Sequence, residues 1–223
     1  MGNVYNGLLN VYKEAGYTSN DVVAKLRGIL HQRKAGHTGT LDPDAVGVMV
    51  VCLGNGTRLC DMLTEHTKEY IAVCRLGTVT DTQDMSGNVL EERPVQVTQE
   101  QLHEAVAAFK GDYDQIPPMY SAIKIGGKKL YELAREGKEI ERQPRHIHID
   151  AISILDISNL QDEHEFTMEV KCSKGTYIRT LCHDIGQKLG CGGCMEELIR
   201  TRSGNFTWED SMTLADVEEA VKY

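Results

Sequence analysis

The eight residues Val46-Gly47-Val48-Met49-Val50-Val51-Cys52-Leu53 carry no charged side chain and are too apolar for an exposed strand. They read as a buried segment around which the rest of the chain must close. A glycine-rich loop, Gly36 to Pro43, leads straight into this run, so whatever that loop displays is anchored to the interior.

The remaining elements follow from periodicity. Gly7 to Val11 reads as a short strand, and Thr18 or Ser19 caps a helix whose positions Val22, Val23, Leu26, Ile29 and Leu30 keep the helical period. Tyr70 to Leu76 is a strand. Thr98-Gln99-Glu100-Gln101 forms a capping box, after which Leu102, Ala105, Val106 and Phe109 make one stripe that stops at Gly111. From Ile116 the chain turns basic and punctuated: Pro117-Pro118, Gly126-Gly127-Lys128-Lys129 and a short Leu130/Leu133/Ala134 helix suggest an insertion. Ile147, Ile149, Ile152 and Ile154 mark one strand and Phe166, Met168 and Val170 another, together an antiparallel hairpin. A helix opening at Lys174-Gly175, with Ile178, Leu181, Ile185 and Leu189 inward and Gly190 closing it, precedes a last helix over Thr213 to Val221. Strand runs mixed with isolated helices, without βα alternation, predict an α+β fold in a single domain over residues 1–223.

No apolar run approaches the roughly 18 to 20 residues that span a bilayer. The start, Met1-Gly2-Asn3-Val4-Tyr5, lacks the regions of a signal peptide, so membrane and secreted readings are disfavoured. Seven cysteines, an odd and scattered set, do not resemble a disulfide framework and point to a reducing cytoplasmic compartment. The formal charge of −9 argues at first against a nucleic-acid partner. Yet residues 1–40, 117–148 and 171–206 are each +3, leaving room for a phosphate-binding face.

The densest chemistry lies in Gly36-His37-Thr38-Gly39-Thr40-Leu41-Asp42-Pro43-Asp44-Ala45-Val46-Gly47. Pro43 pushes Asp42 out of the helical region, so an extended loop presents its carboxylate, although Asp-Pro is also ordinary turn chemistry. A calcium loop fails because Val46 and Leu53 fall where side-chain oxygens are required. A glycosidase-like pair of Asp42 and Asp44 has no other support. Cys191-Gly192-Gly193-Cys194 lacks a second pair for zinc and is a weak redox motif.

The loop closely resembles the G-H-x-G-x-L-D-P signature of the TruB family of pseudouridine synthases. Further blocks agree in order: Lys13 to Ser19 with Asn20-Asp21-Val22-Val23; Lys68-Glu69-Tyr70; Leu76-Gly77 with Thr80-Asp81-Thr82-Gln83-Asp84; Gln115 to Ala122; Gly127 to Tyr131; Cys172 to Arg179; and Leu198 to Gly204. Departures are Glu14 in place of a usual Pro, Asp44 and Val46 after the Asp-Pro, and Cys194 where many relatives have His.

The resemblance implies a pseudouridine synthase fold: a mixed, largely antiparallel sheet flanked by helices and loops, a thumb-like RNA-binding insertion near 115–145, and no PUA domain. It implies Asp42 as the catalytic carboxylate, Arg179 as the cation paired with it, His37 as the group filling space vacated by an extruded base, and Tyr70 as the ring stacking on that base. Tyr177 and Leu198 become pocket walls. Lys124, Lys128, Lys129 and Arg145 on the thumb, with Arg200 and Arg202 near the pocket, become phosphate contacts. The expected substrate is tRNA, at uridine 55 of the T arm, with no cofactor, no metal, no obligate protein partner, no membrane association and a monomeric chain. A tRNA-folding, RNA-binding factor with incidental catalysis and a thiol oxidoreductase are the rival functions.

Overall fold

The structure, a computed structural model, describes residues 5–222; the Met1–Val4 part of the signal-peptide argument lies outside them. In chain order the elements are β1 (Gly7–Lys13), α1 (Ser19–Ile29), β2 (Ala35–His37), β3 (Val46–Leu53), a 3-10 turn (Gly54–Leu59), α2 (Cys60–Thr64), β4 (Lys68–Leu76), β5 (Thr78–Thr80), β6 (Val89–Glu92), α3 (Gln99–Ala107), β7 (Gly111–Gln115), β8 (Lys124–Ile125), β9 (Lys128–Lys129), α4 (Leu130–Arg135), β10 (Arg145–Asp156), β11 (Glu165–Cys172), α5 (Ile178–Lys188), β12 (Gly193–Ser203), β13 (Phe206–Thr207) and α6 (Leu214–Ala220). Two compact units divide the chain: Met1–Ile71 with Glu197–Tyr223, and Ala72–Glu196, the divisions falling inside β4 and β12.

In the first unit β3 is central, which is why its run had to be apolar. β1 pairs with it antiparallel from Gly7↔Leu53 to Lys13↔Gly47, β2 pairs antiparallel, and β12 joins in parallel at Ile199↔Val46 and Arg200↔Gly47. Every position from Gly47 to Leu53 is buried. Val22, Val23 and Leu26 of α1 and Leu214 and Val217 of α6 pack with Val11, Met49 and Val51 into one core. Thr18 is the cap of α1, with Asp21 completing a capping box, while Ser19 turns inward.

The second unit carries the strand order β4-β11-β10-β7, with β10 antiparallel to both β11 and β7. The Ile147–Ile154 and Phe166–Val170 hairpin is therefore present, and the capping box at Thr98 starts α3 as its sequence requires. The parallel β3–β12 pairing beside antiparallel ones makes the pairing mixed, on the α+β plan. The β8–β9 hairpin and α4 enclose a small core of Met119, Leu130 and Leu133.

Short elements such as β5, β6 and β7 are absent from the sequence reading, and two larger ones differ from it. The helix expected at Lys174-Gly175 begins only at Ile178, because Gly175 has φ +78° and Thr176 donates its hydroxyl to Ser173 O at 2.9 Å, closing a turn first. Residues 193–203 form an eleven-residue strand that periodicity does not reveal. Its buried charged side chain, Arg200, breaks the alternation expected of a strand.

Candidate functional site

In the first unit the Gly36–Gly47 loop is gripped through its backbone carbonyls. Lys13, at the end of β1 and fully buried, donates from Nζ to Pro43 O at 2.9 Å, Ala45 O at 2.6 Å and Glu14 O at 3.0 Å. Ser19 at the start of α1 accepts from Leu41 N at 2.9 Å and donates to Leu41 O at 3.2 Å. Arg200 on β12 donates from Nε to Val48 O at 2.7 Å and from its two terminal nitrogens to Thr40 O and Gly39 O at 3.3 and 3.2 Å. Thr64 of α2 donates to Thr38 O at 2.8 Å. The turn is closed by Ala45 N donating to Asp42 O at 3.2 Å. Two buried cations and two hydroxyls thus fix the loop around Asp42, which stays half-buried while Asp44 is exposed.

Arg200 corrects an expectation. The resemblance makes it a phosphate contact, but it is 2% exposed and each of its three nitrogens donates to a main-chain carbonyl, of Val48, Thr40 or Gly39, so it holds the loop from behind. Gly47 makes this possible: its φ is +107°, and a Cβ there would overlap the Arg200 carbonyl oxygen. Lys13, quoted within a matching block but given no role, and Ser19, read only as a candidate helix cap, were missed as holders of the loop. The available signal was a lone lysine ending an apolar strand.

Burial pushes the Lys13 ammonium down to about 8, against the opposing pull of Asp44 and Asp42. Between this value and the ordinary 10.5 the unfolded chain holds a proton the folded chain has released, so this group's contribution to stability rises with pH across that window. The neutral amine keeps two donors for three carbonyls, which loosens the loop. A pH–rate profile is expected to show an alkaline limb centred near pH 8. Lys13→Met should be slower and flat through that range; a limb surviving in that variant would remove Lys13 as its source.

His37 ends β2 half-buried, its imidazole pushed toward the neutral form by burial first and the Arg200 charge second. Tyr70 and Leu198 are each 8% exposed, on β4 and β12. Arg202 is half-buried and forms an ion pair with Glu69 at 3.1 Å.

In the second unit three of the quoted blocks converge on Arg179. It is 4% exposed, which excludes a helix-surface arginine. One terminal nitrogen donates to Thr82 O at 3.0 Å and lies 3.6 Å from an Asp84 carboxylate oxygen; the other donates to Tyr120 O at 2.8 Å. Asp84 is itself fixed by Thr82 Oγ1 at 2.7 Å and by Ser86 N and Oγ at 3.0 and 2.6 Å. Thr82, Asp84 and Tyr120 were not singled out from sequence. Tyr177, half-buried, precedes Arg179 at the start of α5. On the insertion, Lys124, Lys128 and Arg145 are exposed; Lys128 pairs with Glu136 at 3.0 Å, and Lys129 lies 5.2 Å from the Tyr131 ring centre.

Cys191 and Cys194 are buried free thiols, and burial pushes both up, Cys194 to about 12. Such thiols stay protonated and are poor nucleophiles. Among the described residues no helix is long and apolar enough to cross a membrane, and no group of His, Cys, Asp and Glu is arranged to hold a metal.

Known proteins are similar to this sequence. Residues 27–178 match the TruB family pseudouridylate synthase N-terminal domain, and residues 179–223 match the tRNA pseudouridylate synthase B C-terminal domain. The tRNA pseudouridine synthase B of Lachnoclostridium phytofermentans is 60% identical over 221 residues, 97% of this chain and 72% of that protein. The protein of the same name from Heliobacterium mobile is 51% identical over 219 residues, 96% of this chain and 70% of that one. Among solved structures, a chain of a Cbf5-Nop10-Gar1 complex superposes with a TM-score of 0.75 at 34% identity, and one from an H/ACA RNP bound to a substrate RNA containing 2'-deoxyuridine with 0.71 at 31%. This chain is covered to 96% in each but spans only about half of theirs, 54% and 52%. Since the matched domains run from residue 27 to residue 223 and include the Asp42 loop, the chain belongs to the TruB family of pseudouridine synthases.

Proposed function

We propose that this chain converts uridine 55 in the T loop of tRNA to pseudouridine, with Asp42 as the carboxylate on which the reaction depends. The N1–C1′ glycosidic bond breaks, the uracil turns, C5 bonds to C1′ and gives up its proton, and N1 gains one. The atoms of the base and ribose are conserved, so no oxidant, reductant or metal is required. The observation that carries the reading is Asp42 on a loop immobilised by Lys13, Ser19 and Arg200. A rigid loop keeps the carboxylate aimed without reorganisation at the moment of reaction.

The target base is stacked in the T arm and must be extruded at a cost of a few kcal/mol. His37, neutral and flat, suits the vacated space, and Tyr70 suits stacking on the flipped ring. Arg179 supplies the positive charge that the family pattern assigns to the carboxylate, Tyr177 and Leu198 bound the base, and Lys124, Lys128, Lys129, Arg145 and Arg202 meet phosphates. The chain acts as a cytosolic monomer on this reading. The test is to incubate an unmodified tRNA transcript with the protein and map pseudouridine at each position. One new pseudouridine, at position 55, is expected. Modification elsewhere would overturn the substrate assignment, and none anywhere would overturn the enzyme.

A further inference from the structure

Gln115 is fully enclosed, 1% exposed, at the end of β7, and its side-chain amide is spent on one partner. Its Oε1 accepts from Tyr177 N at 2.7 Å and its Nε2 donates to Tyr177 O at 2.9 Å. The carboxamide pairs with the Tyr177 backbone as a neighbouring strand would. Tyr177 is the N-cap of α5, and a residue 62 positions away holds both its main-chain N–H and its carbonyl. The same strand ties α5 a second time, where the Tyr113 hydroxyl donates to the Asp184 carboxylate. Arg179 lies two residues beyond Tyr177, in the first turn of the helix so held.

We infer that Gln115 is a positioning residue for the isomerisation: it sets the start of α5 and so fixes where Tyr177 and Arg179 stand, without touching substrate. The inference rests on the proposed roles of those two residues. Thr82 O and Tyr120 O orient the guanidinium at its tip, whereas Gln115 fixes the main chain from which it extends. A displaced helix start would leave tRNA binding intact and misplace groups needed in the transition state. Such an error lowers kcat and leaves KM alone.

The experiment compares Gln115→Met, similar in length but unable to hydrogen-bond, and Gln115→Glu, which keeps the acceptor for Tyr177 N–H, in steady-state assays on tRNA. Amide hydrogen exchange at residues 177–180 is followed in parallel. Gln115→Met should lose about ten- to a hundredfold in kcat. Its KM and tRNA affinity should stay within about twofold, and exchange at 177–180 should quicken. Gln115→Glu should fall between Gln115→Met and the parent protein. Parental kcat despite quickened exchange, or a loss confined to KM, overturns the inference. Should Gln115→Met fail to fold, Gln115→Glu decides by the same two readouts. Asp42→Asn run alongside separates the two ideas: activity surviving in that variant fails the reading of Asp42, whereas an active Gln115→Met beside a dead Asp42→Asn fails only the role of Gln115.

Discussion

Asp42→Asn is expected to abolish pseudouridine formation, a loss of at least about 10⁴-fold in kcat, because the substitution removes the charge that the chemistry needs. Asparagine has the same shape. The bonds that grip the loop end on the backbone of Gly39, Thr40, Leu41, Pro43 and Ala45, not on the Asp42 side chain, so they survive. The variant should therefore still fold with the loop in place, and tRNA affinity should change by no more than a few-fold. Asp44→Asn is the matched control: that carboxylate is exposed two residues away, and its removal should leave kcat near the parent value. The pair also decides between enzyme and tRNA-folding factor. A factor that merely reshapes RNA would keep its function in Asp42→Asn, and a substantial turnover by that variant would end the assignment.

What could be read from sequence, and what could not, divides along physical lines. β3 was legible because a central strand flanked on both edges needs an unbroken apolar run, and α3 because a capping box and a helical stripe are local signals. The position of Asp42 on a constrained loop followed from Pro43 and two glycines. The grip on that loop did not. Lys13, Ser19 and Arg200 lie 29, 23 and 158 residues from Asp42, and each is a polar side chain whose partner is a main-chain carbonyl or amide near that residue. A lysine ending an apolar strand is the sign a single sequence offers, and by itself it does not separate a buried lysine from a solvated one. The surround of Arg179 was hidden for the same reason, since Thr82, Asp84 and Tyr120 are brought to it only by folding. β12 was missed because a buried arginine reads as an exposed one until its acceptors are known.

Arg200 is where that hidden chemistry should weigh most. Its guanidinium is enclosed, and its three nitrogens are shared among Val48 O, Gly39 O and Thr40 O. Arg200→Met retains most of the apolar stem and deletes every donor, leaving three carbonyls without this partner. Hydrogen bonds from a charged group are worth about 1.5 to 3 kcal/mol each, part of which is offset by relieving a buried charge. A net cost of about 3 to 5 kcal/mol follows, within a total stability of roughly 5 to 15 kcal/mol, so the variant folds with a midpoint lowered by roughly 6 to 20 °C. Because the released carbonyls flank Asp42 in the loop, the activity of the folded fraction should also fall by about a hundredfold. Arg200→Lys keeps the charge but not the planar fork, and one ammonium cannot satisfy acceptors spread over β3 and the loop, so it should recover stability more than turnover. Thermal melts and kcat measured well below each midpoint separate the two effects. Arg200→Met with the parent's melting temperature and kcat would show that the loop holds its shape without this residue, and the account of how Asp42 is aimed would fail with it.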